Sequence, residues 1–464
     1  MQAHRLRGTG EFAAAADILR RQLAQEPDNG EVARLLAQTL YWLKDLEGAN
    51  AAYADALTRH PEDFTLRLQY ARMLAEIGSG DRARTLLMPL LDIADARAEA
   101  ETLLGLIAYW HGDLSDARRR FNAALQANPE QPEAAGHLRD IRVITAPWIR
   151  ASSSIWHDNQ PLDRLALGLE AGWFATPLTE VTARVRPARY RADDGTRSAE
   201  AAELAMTHVA AKAHLEAAMA AGAIRRSYDD SPWDLTGRAS LGIRFPQNLT
   251  VRAQIERTPY FSTASSLQTP VMVRTSSAVV QRGGDLRGWL GQLAYERHRY
   301  PDGNTVQTAY GWLLAPLVRR DGIGIQIGYG FASSDADLSR FSPDGRYVPY
   351  YTPRNLERHS LLLGVTLGGG RPATVRVDAS YGVRATDDAP AFVIVNGQSV
   401  PDTYRRTSSP WNVRTSISFT LREGLTLEPK ADFGRTVFYS WATASLRITY
   451  RLRAGVARPG GRRE

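Results

Sequence analysis

The feature that most constrains this chain is a strict alternation of apolar residues with small or polar ones through its last two-thirds. In residues 321–331, DGIGIQIGYGF, Ile323, Ile325 and Ile327 fall on one face of an extended chain, while glycines fill most of the other face. Residues 411–433 and 441–452 repeat the pattern. Because no long helical pattern remains after Pro147 to cover these faces, the alternation favours strands that contact lipid over a soluble β-sandwich. Lipid offers no hydrogen-bond partner to a strand, so such a sheet must close on itself.

The turns between these segments are of two kinds. Tight turns are predicted at 246–248, 320–322, 368–372 and 423–424, whereas the longest connections, 332–358 and 385–410, are polar. Short turns on one rim and long loops on the other are typical of a transmembrane β-barrel. Counting back from the C-terminus gives sixteen strands beginning near Trp148, although the alanine-rich segment 199–226 fits either two strands or a helix. An even count places both ends on the short-turn rim, which is expected to be periplasmic.

A second periodicity, of 34 residues, occupies the first third of the chain. It is carried by small residues, by prolines and by large residues eight positions before a proline: Ala15, Ala49, Ala83, Ala117, Ala37, Ala71, Gly105, Pro27, Pro61, Pro129, Leu19, Tyr53 and Phe121. This pattern resembles the tetratricopeptide repeat (TPR), a helical hairpin that stacks into a solenoid. The leading helix of the first repeat is incomplete at Met1, so we expect further residues upstream in the full protein.

The predicted fold is therefore α + β and multidomain. It has a TPR solenoid over 1–145, an antiparallel transmembrane β-barrel of about sixteen strands over 146–454, and a basic tail over 455–464. The solenoid carries a net charge of −4, and the remainder carries +11, almost all of it arginine, because the chain contains three lysines. No window reaches the roughly 18 apolar residues of a membrane helix.

Several chemistries are not predicted. The chain has no cysteine, and its nine histidines form no recognisable metal-binding or nucleophile motif. We therefore expect neither a metal nor another cofactor, and no enzymatic activity, although a pairing of His208 with a serine on a neighbouring strand stays open. Nucleic-acid binding is not expected either, because the arginines alternate with apolar residues instead of clustering.

The alternation also predicts which side chains face the lumen. Seven arginines fall on inward positions and are candidates for the path of a polymer: Arg238, Arg244, Arg252, Arg376, Arg414, Arg447 and Arg451. Because guanidinium groups bind carboxylates and hydroxyls, such a lumen favours an anionic or neutral polymer. The alternative is that these arginines form ion-pair ladders with carboxylates such as Glu256 and Asp378, or contact lipid phosphate at the rims.

Aromatic residues in the predicted loops form a second candidate set. Tyr347, Tyr350 and Tyr351 lie in a predicted exit loop, where their rings would either guide a sugar chain or close the exit, or else belong to the aromatic belt of the barrel rim. Tyr260 is assigned to the aromatic belt of the barrel rim.

Two passages carry a family resemblance. Residues 347–368, YVPYYTPRNLERHSLLLGVTLG, and 256–271, ERTPYFSTASSLQTPV, are similar to loop passages of exopolysaccharide-export proteins of the cellulose synthase operon protein C and poly-N-acetylglucosamine porin types. The resemblance implies export of a polysaccharide through an outer-membrane barrel, with periplasmic repeats docking periplasmic or inner-membrane synthesis proteins. Its implied partners are the polysaccharide chain, outer-membrane lipid and those proteins. The chain departs from the family in having fewer repeats and a basic lumen. A plugged barrel acting as receptor, adhesin or assembly factor is the alternative.

Overall fold

The structure is a computed structural model that describes residues 2–227, 233–283, 288–342, 346–369, 372–422 and 424–452. The chain divides into two compact units, residues 1–144 and 145–464, each of which is described by itself. The predicted tail 455–464 lies outside the described residues.

The first unit consists of helices joined by short turns. Its described helices are α1 (Gln2–Gly8), α2 (Phe12–Gln25), α3 (Gly30–Trp42), α4 (Leu46–Arg59), α5 (Phe64–Glu76), α6 (Gly80–Leu87), α7 (Ala94–Trp110), α8 (Leu114–Ala127) and α9 (Pro132–Ile144). The small and large residues that carry the 34-residue period lie in the contacts between these helices, whereas the periodic prolines lie in exposed turns. Ala15, Ala49, Ala83 and Ala117 are fully buried on α2, α4, α6 and α8. None of the helices in the described residues is both long and apolar enough to span a membrane.

The helix starts follow the same period. Asn29 and Asp63, 34 residues apart, accept hydrogen bonds from the backbone N–H groups of Val32 and Leu66 and so cap α3 and α5. The third repeat departs from the pattern, because Pro89 interrupts it: α6 ends at Leu87 and a 3₁₀ turn, Met88–Asp92, follows. The same repeat is the one that lacks the terminal proline found at Pro27, Pro61 and Pro129 in the others.

The second unit is one antiparallel sheet that closes on itself. Its described strands are β1 (Trp148–Asp158), β2 (Asp163–Thr176), β3 (Thr179–Ala192), β4 (Gly195–Ala210), β5 (Leu215–Arg226), β6 (Trp233–Phe245), β7 (Leu249–Tyr260), β8 (Val271–Arg282), β9 (Leu290–Arg299), β10 (Thr305–Arg320), β11 (Ile323–Ala336), β12 (Leu356–Leu367), β13 (Ala373–Val395), β14 (Gln398–Ser408), β15 (Trp411–Arg422), β16 (Leu425–Arg435) and β17 (Ser440–Arg451). Each strand pairs with the next along the chain except at β14, and β17 pairs with β1.

In the described residues sixteen strands therefore form the ring, and β14 lies outside it. The first half of β13 pairs with β15, while its second half pairs with β14 as a projecting hairpin arm. The segment 385–410, predicted as a long polar loop, is therefore largely a β-hairpin, and that prediction was wrong. The missed signal is Asn396-Gly397, where both residues have positive φ, as a tight hairpin turn requires.

The barrel's faces follow the predicted alternation. On β11, Ile323, Ile327 and Tyr329 are exposed on the outer face, whereas Gln326 on the opposite face is buried. The alanine-rich segment 199–226 lies in β4 and β5, so of the two interpretations the strands are correct. We call the rim that carries the connections after β7, β9, β11 and β16 the long-loop rim, and the opposite rim the short-turn rim. The chain enters and leaves the ring at the short-turn rim, where Trp148 is paired with Arg451.

Candidate functional site

Charged side chains of both signs line the inner wall of the barrel and pair across strands. Arg150 on β1 lies 3.2 Å from Glu170 on β2, which lies 3.0 Å from Arg184 on β3. Arg184 is 2.7 Å from Glu203 on β4, and Glu203 is 3.5 Å from Arg238 on β6. We call this chain of ion pairs the five-residue ladder. Opposite charges directly across from one another on antiparallel strands stabilise their pairing.

The register of the strands builds this ladder. Arg150, Glu170, Arg184 and Glu203 occupy successive directly paired positions on β1 to β4. On β5 the paired position is Gly222, which has no side chain to separate Glu203 from β6. A Cβ atom at Gly222 would lie 2.3 Å from the Ala202 carbonyl oxygen, so the backbones approach closely there.

A second set of ion pairs lies on β13 to β17. Arg414 on β15 is paired in register with Asp378 on β13 and with Asp432 on β16, and its guanidinium is 2.8 Å from the Asp432 carboxylate. Asp378 is held at 2.9 Å by Arg376. Both sets combine cations with carboxylates.

A cavity of about 620 Å³ opens along this part of the wall. Its lining includes hydroxyl groups from Ser152, Ser154, Thr374, Ser416, Ser418 and Ser445. It also includes Arg164, Arg186 and Lys430 beside the paired Arg376 and Arg447. Hydroxyl and guanidinium donors side by side are groups that hydrogen-bond sugar hydroxyls.

The structure places the seven predicted arginines as follows. Five of them have a carboxylate partner: Arg238 with Glu203, Arg252 with Glu216 at 2.8 Å, Arg376 with Asp378, Arg414 with Asp432 and Arg447 with Glu428 at 3.5 Å. Arg244 and Arg451 lie at the short-turn ends of β6 and β17. The acidic partners Glu170, Glu203, Glu216, Glu428 and Asp432 were not identified from the sequence, although each occupies an inward position of its strand.

The described parts of the connection between β11 and β12, residues 337–342 and 346–355, fold over the opening at the long-loop rim; we call them the lid. Tyr350 is 1% exposed, and its ring stacks on that of Tyr300 with centroids 3.5 Å apart and planes 5° from parallel. The Tyr350 hydroxyl donates to the Asp302 carboxylate at 2.7–2.8 Å. The Asn304 side chain holds the start of the lid by bonding both the N–H and the C=O of Leu338.

The lid reaches across the barrel. Thr263, in the β7–β8 connection, donates to the Pro349 carbonyl at 2.5 Å. Tyr347 and Tyr351 pack against Phe438 in the β16–β17 connection, with ring centroids 5.3 and 4.2 Å apart. These two connections are separated by eight strands in either direction around the ring. A segment that touches both of them spans the opening.

The β7–β8 connection closes a further part of the rim. Its short helix α10 (Ala264–Gln268) inserts Leu267, fully buried, among Tyr190 and Ile224 from the inner wall. Gln268 donates to Asp194 in the β3–β4 turn at 2.6 Å. Hydrogen bonds from Arg197 and from Gln268 lower the pKa of Asp194 to about 2.

The contacts of the lid show that the predicted position of Tyr260 was wrong, and they include residues that were not predicted from the sequence. Tyr260 does not belong to a rim belt: it packs beside the stacked pair of Tyr300 and Tyr350 on the inner side, with its ring plane steeply inclined to both of theirs. Its alternation places it inward, and the loop above covers it. Tyr300, Asp302 and Phe438 were missed because nothing in the sequence relates three separate connections to one another.

The described residues contain no group of histidine and acidic side chains that could hold a metal ion. His208 faces Thr179 on β3, with Nδ1 2.9 Å from the threonine hydroxyl, and Ala217 on β5. The serine that a catalytic pairing would need is not opposite it.

Comparisons with known proteins agree with this architecture. A tetratricopeptide repeat family model matches residues 6–51 and 43–107. Cellulose synthase operon protein C of Escherichia coli K12 is 32% identical over 143 residues, and a putative cellulose synthase operon protein C of Escherichia coli O157:H7 is 30% identical over 141 residues. Each match covers 30% of this chain, and the chain spans only 12% of each relative.

The barrel resembles a solved structure described as a bacterial polysaccharide outer membrane secretin. The TM-score is 0.52 at 10% identity, and the alignment covers 67% of this chain and 99% of that one. At this identity the likeness concerns the fold. The predicted combination of TPR repeats with a closed sixteen-stranded barrel of outer-membrane type is thus confirmed.

Proposed function

We propose that this protein exports a bacterial exopolysaccharide across the outer membrane, with the barrel as the conduit. The observation that carries the proposal is a hydroxyl-lined and charge-lined lumen closed at one end by an aromatic lid. The likeness to cellulose synthase operon protein C and to a polysaccharide secretin supports the same class of cargo. The long-loop rim with its lid is then the outer exit, and the helical unit lies in the periplasm.

The lumen favours a neutral polymer within that class. Cations paired with carboxylates, as in the five-residue ladder, produce little net field and offer few free donors to a polyanion. Serine hydroxyls and the cations of the 620 Å³ cavity suit the many hydroxyls of a cellulose-like glycan.

The experiment compares cells that lack the gene with cells complemented by the wild type or by Tyr350→Ala. Loss of the gene should leave polymer synthesis intact while the product accumulates inside the envelope. Complementation should restore surface polymer, and the lid variant should export at least as well as the wild type. Unchanged secretion in the deletion strain would refute the proposal.

The closed lid also favours a second candidate, a plugged barrel that serves as receptor, adhesin or assembly factor. Conductance in a planar bilayer distinguishes the two. An exporter should conduct weakly when closed and strongly after Tyr350→Ala, because the lid loses both its stacking on Tyr300 and its bond to Asp302. A permanent plug would leave conductance low in both proteins.

We further propose that the repeats dock the synthesis machinery. Stacked TPR hairpins present an extended surface for protein partners, and Trp42 and Trp110 are 39% and 51% exposed at the C-terminal ends of α3 and α7. A photoreactive residue at position 110 should crosslink to a subunit of that machinery, and one at the exposed turn residue Glu62 should not. Crosslinking only to unrelated envelope proteins would contradict this role.

A further inference from the structure

Three arginines stand side by side on the outer face of the barrel near the long-loop rim. Arg257 on β7 is directly paired with Arg274 on β8, and Arg274 is directly paired with Arg299 on β9. Arg297, on the same face of β9, is paired with Ser276, one outward position further from the rim. We call these four residues the outer arginine cluster.

Like charges directly opposite on paired strands destabilise the sheet unless something compensates them. Arg257 has a partner, Asp234, at 3.0 Å. Within the described residues, no ion pair compensates Arg274, Arg297 or Arg299, and the buried Nε of Arg297 has no hydrogen-bond partner. This contrasts with the inner wall, where neighbouring arginines alternate with carboxylates.

No carboxylate on the adjoining strand supplies the compensation. The position paired with Arg297 on β10 is Gln307, whose other partner is Asp335 on β11. The Asp335 carboxylate is therefore two strands away, and Arg354 lies 3.9 Å from it. The cluster faces outward from the barrel, where the compensating anion must come from the surroundings.

An apolar groove continues from the cluster toward the short-turn rim. Along β8 and β9 the outward residues are Ala278, Val280, Tyr295 and Leu293, and they line an open groove of about 810 Å³ together with Ala309 and Leu313 on β10. A patch of cations at the end of an apolar groove matches an amphiphile with an anionic head and hydrocarbon chains.

We propose that the outer arginine cluster and this groove bind a diphosphorylated lipid of the leaflet at the long-loop rim. The guanidinium groups of Arg274, Arg297 and Arg299 would bind the phosphates, which relieve the like-charge pairs, and the acyl chains would lie on Val280, Leu293 and Leu313. One phosphate cannot compensate three neighbouring cations, which favours a head with two. The site depends on the barrel lying in a membrane and does not depend on what the barrel transports.

Native mass spectrometry of the full chain in detergent tests the site. Three probes are added separately: diphosphoryl lipid A, the same lipid with its phosphates removed, and inorganic phosphate. The wild type should retain the diphosphorylated lipid at least tenfold more tightly than the phosphate-free lipid, because several charge-assisted hydrogen bonds are lost with the phosphates. Inorganic phosphate alone should not bind detectably, and in a further sample an excess of it should not displace the bound diphosphorylated lipid.

The decisive variant is the double change Arg274→Ala and Arg299→Ala. The matched control is Arg189→Ala, which removes an exposed outward arginine on β3 whose paired residues are Leu165 and Ser198. The double variant should bind the diphosphorylated lipid about tenfold or more weakly, and the control should bind it like the wild type, with unchanged strand circular dichroism in both. Equal retention by the double variant, equal binding of the phosphate-free lipid, or equal binding of inorganic phosphate would each overturn the proposal. Polymer secretion is measured separately, so failure of this site and failure of export are distinguishable.

Discussion

In the helical unit, the close approach of neighbouring helices restricts which side chains are small enough for certain positions. Gly105 on α7 lies against the Phe121 ring on α8, and a Cβ atom at this glycine would fall 2.6 Å from the ring. Phe121 is fully buried. The period of 34 residues identifies this position as small, but only the structure shows which side chain it accommodates.

Gly105→Ala should therefore destabilise the helical unit by about 1–3 kcal/mol, the usual range for overpacking a tight contact. Thermal unfolding followed by the helical circular dichroism of the full chain measures this. Gly136→Ala on α9 is the control, because the nearest atom to its Cβ would be the Arg139 guanidinium at 3.9 Å. The control should stabilise the helix by about 0.5–1 kcal/mol through helix propensity alone. A destabilisation of the same size at both positions would contradict the packing explanation.

A second prediction at the scale of one residue concerns Glu203, which bridges Arg184 and Arg238 on the inner wall. Glu203→Gln removes one negative charge between two cations, so the lumen should become more selective for anions. Reversal potentials in a salt gradient, measured on a background that carries Tyr350→Ala, would report this change.

The matched control for that change is Glu200→Gln, on the same strand β4 but exposed on the outer face. It alters the protein's total charge identically and should leave the reversal potential unchanged. Equal shifts for both variants would mean that the ladder does not line the ion path.

At the scale of elements, the sequence predicted strands better than it predicted what lies between them. Alternation decided the faces of β11 and of the C-terminal strands, because one apolar face of a barrel contacts lipid throughout its length. It failed at 385–410, where β13 and β14 leave the ring and neither face is continuously apolar. It also gave no account of the lid, since Tyr350 stacks on Tyr300, fifty positions earlier in the chain, and no local pattern records that contact.

The lid also makes the exit sensitive to pH. Burial raises the pKa of the Tyr347 and Tyr350 hydroxyls, and the Asp302 carboxylate beside Tyr350 contributes to the same shift. The docked lid thus holds these phenols in the protonated form more firmly than the undocked lid does. Docking should be fully stable below the ordinary tyrosine pKa of about 10 and should weaken as pH rises above it.

Single-channel conductance recorded from pH 7 to pH 11 should therefore stay low to about pH 10 and then increase. Tyr350→Phe keeps the stacked ring but cannot ionise, so its alkaline increase should be smaller, although its conductance at pH 7 should be slightly higher after loss of the bond to Asp302. Tyr381→Phe, on the outer face of β13 where Tyr381 is 52% exposed, should behave as the wild type. A rise in conductance well below pH 10 would show that another group controls the lid.

At the scale of the whole molecule, the net charge of the barrel and the chemistry of its lumen suggest different kinds of polymer. The barrel half of the sequence carries +11, which by itself suggests an anionic cargo. The structure divides that charge: the outer arginine cluster faces away from the lumen, whereas Arg238, Arg252 and Arg414 inside are paired with carboxylates. The net charge is therefore a better guide to what binds the outer surface of the barrel than to what binds in its lumen.

The pairing of the inner arginines predicts that the lumen prefers a neutral polymer to an anionic one, and ion-current measurements on the purified protein can test this. In the Tyr350→Ala background, neutral β-glucan oligomers should reduce the ion current in a concentration-dependent way, because they reach the serine hydroxyls and cations of the inner cavity. Oligomers of a uronic acid, of equal length, should block less well, since the arginines of the ladder and Arg252 are already occupied by Glu170, Glu203 and Glu216. Glu203→Gln should narrow the difference by leaving Arg184 and Arg238 freer to bind a carboxylate of the oligomer, whereas Glu200→Gln should preserve it. Stronger block by the uronic acid oligomer in the Tyr350→Ala protein would show instead that Arg164, Arg186 and Lys430, which have no carboxylate partner among the described residues, dominate the lumen and that it favours an anionic polymer.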